Sequence, residues 1–389
     1  MPEIRLRKQA DRKVRRGYLW IFSNEIENPP VRNLCAGEIY DVTDFSGKFI
    51  GVAYANPKSL IAARIVSRKK VKIDADFIKG RFEKAIELRR PYCRGREAYR
   101  VFFGEADLLP GLVVDRYGPH LVIQSSTAGV DHMLDLVVEV IDSLFAPQSI
   151  VIRNDSLVRN LEGIPIRKEI KLGSHVDAIN FTSQGVAFIA NLIDGQKTGF
   201  FLDQEFNRLL LKRYMAEKSA VLDLYCYSGA WGMQALSAGA STMTAVDSSA
   251  SALELAAQIA YLNHYESRVT TIRDDVSQFL GHGSDKWDVI ILDPPAFIKN
   301  RSKIREGRQG YIDVNKKALT RLKSGGLFVS CSCSAHMAIS DFLEVINIAA
   351  YLNGKKLKVL DVLGQAPDHP TLTSMPETRY LKVIIAQAL

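Results

Sequence analysis

From about residue 219 onward, apolar strand-like runs alternate with segments of helical spacing. The strand candidates are AVLDLYCY, STMTAVD, RVTTIRD, WDVIILDPP and GGLFVSCS, and a final strand pair ends the chain. Strands that alternate with helices bury their apolar side chains in a parallel sheet covered on both faces. The alternation therefore predicts a doubly wound α/β domain, whose ligands would bind at the carboxyl ends of the strands.

Two further domains are predicted ahead of this one. Short alternating runs between residues 31 and 68, separated by turn signals, indicate a small β-rich domain. An amphipathic helix follows as a link between domains. Its apolar positions are Phe77, Ile78, Phe82, Ile86 and Leu88. Strands, a helix over 130–145 and a hairpin near 178–192 then predict an α+β domain. The expected domains are 1–72, 73–190 and 191–389.

Positive charge is concentrated near the N-terminus. Residues 1–100 carry 23 Lys and Arg against 12 Asp and Glu, whereas residues 101–389 carry 28 against 31. A basic module suggests a polyanionic partner, for which nucleic acid is favoured over an anionic membrane. The alternative is a charged surface that contacts only solvent. The basic residues near Tyr18 are Arg5, Arg7, Lys8, Arg12, Lys13, Arg15 and Arg16. Trp20 and Phe22 fit the core of the β domain better than base stacking.

The compartment is inferred from what the sequence lacks. No run is apolar enough to predict a membrane span or a secretory signal. The five cysteines are an odd, unpatterned set, which is typical of free thiols in a reducing compartment. We therefore expect a cytoplasmic protein. We expect no metal site, because the spacing of Cys-Ser-Cys is not that of zinc ligands.

Three predicted strands end in acidic residues. Asp223 lies within VLDLYCYSGAWG, Asp247 follows about twenty residues later, and Asp275 or its neighbour Asp274 ends the third strand. One such residue commonly only caps the next helix. Three at successive strands favour a ligand site, in which Asp247 accepts hydrogen bonds from a ribose and Asp275 from an adenine amino group. Gly229 would let the backbone approach that ligand.

The fourth strand ends in Asp293-Pro294-Pro295-Ala296-Phe297. Tandem prolines force the chain to leave a buried strand in an extended loop. Asp-Pro-Pro followed by an aromatic resembles motif IV of base-modifying methyltransferases, in which this loop holds a flipped base. A turn that merely ends the strand is the alternative.

Two thiols, Cys331 and Cys333, lie in the fifth strand and at its end. Methylation at carbon 5 of a pyrimidine needs a thiolate, because that carbon becomes nucleophilic only after addition at carbon 6. We predict Cys333 as the nucleophile and Cys331 as the fallback, since Cys331 falls within the apolar alternation; two structural cysteines are the alternative. Asp293 would contact the base near ring nitrogen 3 and stabilise the developing charge. His336 is a conceivable proton carrier, but a lone histidine three residues beyond the strand is more typical of a surface residue at the start of a helix.

Longer strings carry a family resemblance over nearly the whole chain. They are GYLWIFSNEIE, SGKFIGVAYANPKS, GEADLLPGLVVDRYG, GQKTGFFLDQEFNR, GRQGY and DHPTLTSMPETRYLK. Together they resemble the large-subunit ribosomal RNA methyltransferase I family, which forms 5-methylcytosine. The resemblance implies an N-terminal PUA domain, a central domain and a Rossmann-like catalytic domain that uses S-adenosyl-L-methionine.

The resemblance also implies site residues. Cofactor contacts would come from Asp223, Tyr225, Ser228, Gly229, Asp247, Asp275 and Asp293. The QKTG segment would pack over the cofactor and add Gln196, Lys197, Thr198, Phe200, Asp203, Gln204 and Arg208. Cys333 would be the catalytic thiol. The sequence departs from the family pattern at two positions: Ala230 stands where a second glycine is usual, and Glu205 stands where an arginine is expected. In addition, Ala296 stands where the wider group of 5-methylcytosine enzymes has a second cysteine.

The expected substrate is unassembled or single-stranded ribosomal RNA, because the base must leave its stack to reach Cys333. Two alternatives stay open. One is an RNA methyltransferase that acts on a base nitrogen without a thiol, and the other is a noncatalytic RNA-binding assembly factor. The oligomeric state, including a homodimer, also stays open.

Overall fold

The structure is a computed structural model, and it describes residues 1–174, 176 and 178–389. The chain divides into two compact units. The first comprises Met1–Phe181, Ala190–Leu202 and Pro367–Thr378, and the second comprises Thr182–Ile189, Asp203–Ala366 and Arg379–Leu389. The predicted boundary after residue 72 falls inside the first unit, so the three-domain division stays a prediction.

A six-stranded sheet forms the N-terminal part of the first unit. Its strands are β1 (Glu3–Leu6), β2 (Trp20–Ile21), β3 (Ile26–Asn28), β4 (Ile39–Thr43), β5 (Phe49–Ala55) and β6 (Ala63–Ser67), and helix α1 spans Asp11–Arg15. The order is β2-β6-β5-β4-β1-β3. Only β1 and β4 pair in parallel; the other described pairs are antiparallel. The β-rich N-terminal domain is confirmed, although β1 to β3 lie in a basic, turn-rich stretch where no strand was predicted.

A five-stranded sheet follows in the first unit. Its order is β11-β10-β9-β8-β7. The elements are α2 (Ala75–Cys93), β7 (Ala98–Phe103), β8 (Leu112–Tyr117), β9 (His120–Ser125), α3 (Ala128–His132), α4 (Leu134–Phe145), β10 (Ser149–Asn154), α5 (Val158–Glu162) and β11 (Arg167–Gly173). The helix predicted over 130–145 is broken at Met133 between α3 and α4. The predicted hairpin is β12 (Ala178–Ser183) and β13 (Val186–Asn191).

Helix α2 departs from its predicted apolar face at one position. It begins after Asp74, whose side chain accepts a hydrogen bond from the amide of Phe77. Leu88 was expected to be buried, but it is 48% exposed. Arg89 is buried instead, because its guanidinium donates to both carboxylate oxygens of Asp107. A buried ion pair can thus replace a leucine on a face that periodicity assigns to apolar residues.

A seven-stranded sheet forms the second unit. The elements are α6 (Glu205–Leu211), β14 (Ala220–Leu224), α7 (Ala230–Ser237), β15 (Thr242–Asp247), α8 (Ala250–Leu262), β16 (Val269–Arg273), α9 (Val276–Gly281), β17 (Trp287–Leu292), α10 (Ile304–Thr320), β18 (Leu322–Ser332), α11 (Ile339–Tyr351), β19 (Leu357–Leu363) and β20 (Lys382–Ala388). The order is β16-β15-β14-β17-β18-β20-β19. Strands β14 to β18 pair in parallel, and β20 is antiparallel to its neighbours.

This order confirms the predicted Rossmann-like α/β sheet and locates its ligand edge. The strand order reverses between β14 and β17, and such a switch point leaves a crevice at the carboxyl ends of the strands. The loops after β14, β15, β17 and β18 therefore share one edge of the sheet. In the part of the chain that the structure describes, no helix is both long and apolar enough to cross a bilayer.

Candidate active site

The loop after β14 has an unusual backbone. Tyr225 and Tyr227 have φ angles of 58° and 48°, and Gly229, which precedes α7, has a φ of 69°. A side chain at Gly229 would be strained by this angle, and its Cβ would lie 3.0 Å from Cε of Met243. Two non-glycine residues in the left-handed region within three positions are typical of a ligand-binding turn.

Asp223 lies one residue before the end of β14 and has a buried carboxyl group. It is 1% exposed, and its Oδ2 accepts a hydrogen bond from the amide of Gly232 at 3.0 Å. Its Oδ1 has no hydrogen-bond donor among the described residues. Burial, together with the charges of Asp293 and Asp247, raises the pKa of Asp223 to about 8. A cationic ligand group beside these carboxyls would reverse that shift.

Asp247 connects the loops after two strands. Its Oδ2 accepts from the amide of Tyr227 at 3.0 Å, and its Oδ1 accepts from the amide of Ser249 at 2.9 Å. Burial, followed by the charges of Asp275 and Asp247, raises the pKa of Tyr225 to about 12. Asp275 itself is exposed and caps α9, with Oδ1 accepting from the amide of Gln278 at 3.1 Å. Asp275, which was predicted to contact adenine, therefore also caps helix α9.

Asp293 follows β17 and accepts hydrogen bonds from two side chains, one in the turn before α6 and one in α7. Nε2 of Gln204 donates to Oδ2 of Asp293 at 2.9 Å, and Nε1 of Trp231 donates to the same oxygen at 3.2 Å. Oε1 of Gln204 in turn accepts from Nδ2 of Asn207 at 2.8 Å. Gln204 was predicted as a cofactor contact, and this hydrogen bond gives it a role in orienting Asp293. The sequence did not predict Trp231, although it lies in the segment VLDLYCYSGAWG.

The two candidate nucleophiles differ in accessibility. Cys331 has no exposed surface, whereas Cys333 is partly exposed. Burial, followed by the charge of Asp293, raises the pKa of the Cys331 thiol well above its usual value. Strand β18 pairs in parallel with β17, and Leu292 is level with Ser330. The thiols and Asp293 therefore lie at the ends of neighbouring strands, as the sequence predicted.

Ser334 connects the thiol loop to the Asp-Pro-Pro loop. Its Oγ accepts from the amide of Ile298 at 3.2 Å and lies 3.0 Å from the hydroxyl of Tyr311. Gly307 allows the close approach of α10, because a Cβ there would lie 2.7 Å from the carbonyl oxygen of Phe297. These contacts explain the GRQGY string, whose glycine and tyrosine both support the loop that follows β17.

Four of the residues predicted around the cofactor belong to the first unit: Gln196, Lys197, Thr198 and Phe200. The hydroxyl of Thr198, fully buried, donates to Oδ2 of Asp115 at 2.5 Å. The ring of Phe200 packs edge-on against Phe181 with centroids 5.1 Å apart, and Nζ of Lys197 lies 4.3 Å from the ring centroid of Phe201. Their part in binding a cofactor stays a prediction. Among the described residues, no cluster of His, Cys, Asp and Glu could hold a metal ion.

Comparison with known proteins decides the family. A PUA-like domain model matches residues 4–68, and a model described as conserved hypothetical protein 95 matches residues 204–306. The ribosomal RNA large subunit methyltransferase I of Klebsiella pneumoniae strain 342 is 33% identical over 98% of this chain and 97% of its own length. This chain belongs to the ribosomal RNA large subunit methyltransferase I family.

Solved structures share the fold over the whole chain. SMU.776, a putative methyltransferase crystallised with S-adenosylhomocysteine, has a TM-score of 0.86 and 22% identity, and it covers 100% of both chains. A putative S-adenosylmethionine-dependent methyltransferase from Streptococcus mutans has a TM-score of 0.85 at the same identity and coverage. Membership of the ribosomal RNA large subunit methyltransferase I family confirms the predicted methyltransferase class, with S-adenosylmethionine as cofactor.

The strand-end carboxyls fit that cofactor. S-adenosylmethionine carries a sulfonium and an ammonium, and the buried Oδ1 of Asp223 offers an acceptor that no described protein group uses. Asp247 is the last residue of β15, and Tyr225 directly follows the neighbouring strand β14; an acidic side chain at this place fits the ribose of the cofactor. The left-handed turn ending at Gly229 brings backbone amides to the same edge.

Proposed function

We propose that this protein methylates carbon 5 of a cytosine in large-subunit ribosomal RNA, with Cys333 as the nucleophile. The observation that supports this most is the placement of a partly exposed thiol at the end of β18, beside the loop that carries Asp293. A methyltransferase that acts on a nitrogen has no need of a thiol there. S-adenosylmethionine supplies the electrophilic methyl group.

The thiolate of Cys333 adds to carbon 6 of the base and breaks the double bond between carbons 5 and 6. The electron pair released onto the ring makes carbon 5 nucleophilic, and carbon 5 takes the methyl group. A base then removes the proton from carbon 5, the double bond re-forms, and the bond between carbon 6 and sulfur breaks. Ala296 carries no thiol to take that proton. Another group or water must do so.

Asp293 orients the base in this proposal. Two donors, Gln204 and Trp231, share its Oδ2. A proton shared between Asp293 and ring nitrogen 3 would offset the negative charge that addition of the thiolate places on the ring. The pair of donors fixes the carboxyl before the base arrives, so little rearrangement is needed during the reaction.

The PUA-like domain would bind RNA through its basic residues. Arg12, Lys13 and Arg16 line a cleft of about 350 Å³ together with Tyr18. Lys13 is already paired with Glu25 at 2.8 Å. Arg12 and Arg16 are exposed and have no acidic partner among the described residues, so they are the cations most available for phosphates.

The target cytosine must be unstacked to reach a thiol at the end of a buried strand. Naked large-subunit RNA should therefore be methylated faster than the assembled subunit. Equal or faster methylation of the intact subunit would contradict this part of the proposal.

A trapping experiment tests the nucleophile. RNA that contains 5-fluorocytosine cannot lose a proton from carbon 5, so the adduct with Cys333 should persist through denaturing electrophoresis. Cys333→Ala should form no adduct, and Cys35→Ala, which removes an exposed thiol in the first unit, should form it normally. An adduct that requires Cys331 instead would favour the fallback. Methylation by Cys333→Ala would support nitrogen methylation, and absence of cofactor binding would support an assembly factor.

A further inference from the structure

Lys382 is a buried lysine beside the proposed nucleophile. It begins β20 and pairs with Ser332 of the antiparallel strand β18. Ser332 directly precedes Cys333 in the sequence. The residue is 3% exposed. Its Nζ donates to the carbonyl oxygens of Ser334 at 2.5 Å and Tyr380 at 2.8 Å. The side chain thus crosses from β20 into the loop that carries the thiol.

The ammonium of Lys382 lacks a permanent counter-charge. Both acceptors are neutral carbonyls, and among the described residues no carboxylate forms an ion pair with its Nζ. A buried, unpaired charge is unfavourable. Burial accordingly lowers the pKa of Lys382 to about 8, whereas the thiol of Cys333 acts in the opposite direction and Arg379 lowers it further.

Two neighbours of the thiol, Cys331 and Tyr311, are uncharged or acidic groups. Cys331 on β18 and Tyr311 on α10 both interact electrostatically with Cys333, and Asp293 acts on Cys331; none of the three carries a positive charge. His336 is exposed on the loop beyond Ser334. Lys382 is a buried cation whose charge interacts with that of Cys333, and Arg379 lies close enough to lower the pKa of Lys382.

We propose that Lys382 is a positioning residue that holds the Cys333 loop and stabilises Cys333 as a thiolate. The inference rests on the proposed function, since it assigns a partner to that nucleophile. The coupling is reciprocal: an ammonium that favours the thiolate is itself favoured by it. The two carbonyl hydrogen bonds fix the ammonium beside the loop. Strand β20, which carries Lys382, borders β18 on one side, and β17, which precedes Asp293, borders it on the other.

The test is the pH dependence of Cys333 alkylation in the full-length protein. Iodoacetamide reacts with the thiolate, and fragmentation mass spectrometry of the modified peptide distinguishes Cys333 from Cys331. In the wild type, the alkylation midpoint should lie below the value of about 8.5 for a free cysteine. Lys382→Met should raise that midpoint by about one pH unit and slow alkylation at pH 7 about tenfold.

A matched control is Lys355→Met. Nζ of Lys355 also donates to a backbone carbonyl of β18, but at Leu322, the opposite end of the strand, and burial lowers its pKa as well. Removing that charge should leave the midpoint of Cys333 unchanged. Lys382→Arg, which keeps the charge, should retain a lower midpoint than Lys382→Met.

Two outcomes would overturn the inference. One is a wild-type midpoint at or above that of free cysteine, which requires no variant and so holds even if Lys382→Met fails to fold. The other is an equal midpoint in Lys382→Met and the wild type. Neither depends on methyl transfer. If Cys333→Ala still methylates RNA, the proposed function fails, whatever the alkylation profile. If Cys333 is essential but its alkylation midpoint is the same in Lys382→Met and the wild type, only this inference fails.

Discussion

Nε2 of Gln204 donates a 2.9 Å hydrogen bond to Oδ2 of Asp293. The two residues are far apart in sequence, and Gln204 is 3% exposed. The hydrogen bond connects the turn before α6 to the loop that follows β17. The most distinctive string of the sequence, GQKTGFFLDQEFNR, thus contacts the Asp-Pro-Pro loop through Gln204.

Gln204→Met should weaken catalysis more than cofactor binding. The methionine keeps the length of the side chain but removes the donor to Asp293, and a lost buried hydrogen bond to a charged group corresponds to about 1.5–3 kcal/mol. We expect kcat to fall by about 10- to 100-fold, with a smaller change in the Kd of S-adenosylhomocysteine. Calorimetry and a methyl-transfer assay measure the two effects. A larger loss of cofactor affinity than of kcat would instead favour direct cofactor contact by Gln204.

Asp223→Asn should stabilise the cofactor-free protein at alkaline pH. The folded pKa of about 8 lies above that of the unfolded chain, so the folded state retains the proton more strongly. The contribution of Asp223 to the free energy of unfolding therefore falls as pH rises from about 4 to about 8 and is constant above that. Asparagine removes this fall, so its Tm should exceed that of the wild type at pH 8.5 and approach it at pH 4.

The same residue makes cofactor binding depend on pH. A bound cation beside Asp223 favours its ionised form, so binding near pH 7 should release a proton and affinity should increase up to about pH 8. Calorimetry in buffers of different ionisation enthalpy measures the release. Proton release of the same size in Asp223→Asn would assign it to another group.

Gly307→Ala should displace the Asp-Pro-Pro loop. Its Cβ would lie 2.5 Å from Cγ1 of Ile298 and 2.7 Å from the carbonyl oxygen of Phe297, so the loop or α10 must shift. We expect methyl transfer to fall by more than tenfold and stability to fall by about 1–3 kcal/mol. Gly80→Ala in α2, where a Cβ meets open space, is the control and should stabilise by about 0.5–1 kcal/mol in chemical denaturation.

Arg12→Ala combined with Arg16→Ala should weaken RNA binding without changing cofactor affinity. If both cations neutralise phosphates of a single strand, the slope of log K against log salt should decrease in magnitude by about 1.4. Lys79→Ala with Lys84→Ala removes the same charge from exposed positions of α2 and serves as control. Equal effects of the two pairs would mean that binding depends on net charge and not on the cleft.

The sequence predicted the parts of the molecule that follow a local pattern. Alternating strands and helices specified the seven-stranded sheet, and the strand ends specified the positions of Asp223, Asp247, Asp293 and Cys333. The hydrogen bonds that these residues make depend on contacts between distant segments, which periodicity does not report. Trp231 illustrates the limit: within its helix it is an ordinary buried aromatic, and its Nε1 contact with Asp293 appears only once β14 and β17 are adjacent.

Buried charged residues were the second limit. Hydrophobic periodicity assigns Leu88 to the core of α2, but the ion pair between Arg89 and Asp107 occupies that place. Lys382 likewise reads as a polar strand start, and its burial follows from the antiparallel pairing of β20 with β18. In both cases the burial depends on a partner that is distant in sequence.

The most direct test of the account is the position of the methyl group and its dependence on one thiol. Naked large-subunit ribosomal RNA is incubated with S-adenosylmethionine and either wild-type protein or Cys333→Ala, digested to nucleosides and fragments, and mapped by mass spectrometry. The account predicts 5-methylcytosine at a single position with the wild type and none with Cys333→Ala. A methyl group on a base nitrogen, or 5-methylcytosine formed by Cys333→Ala, would contradict it.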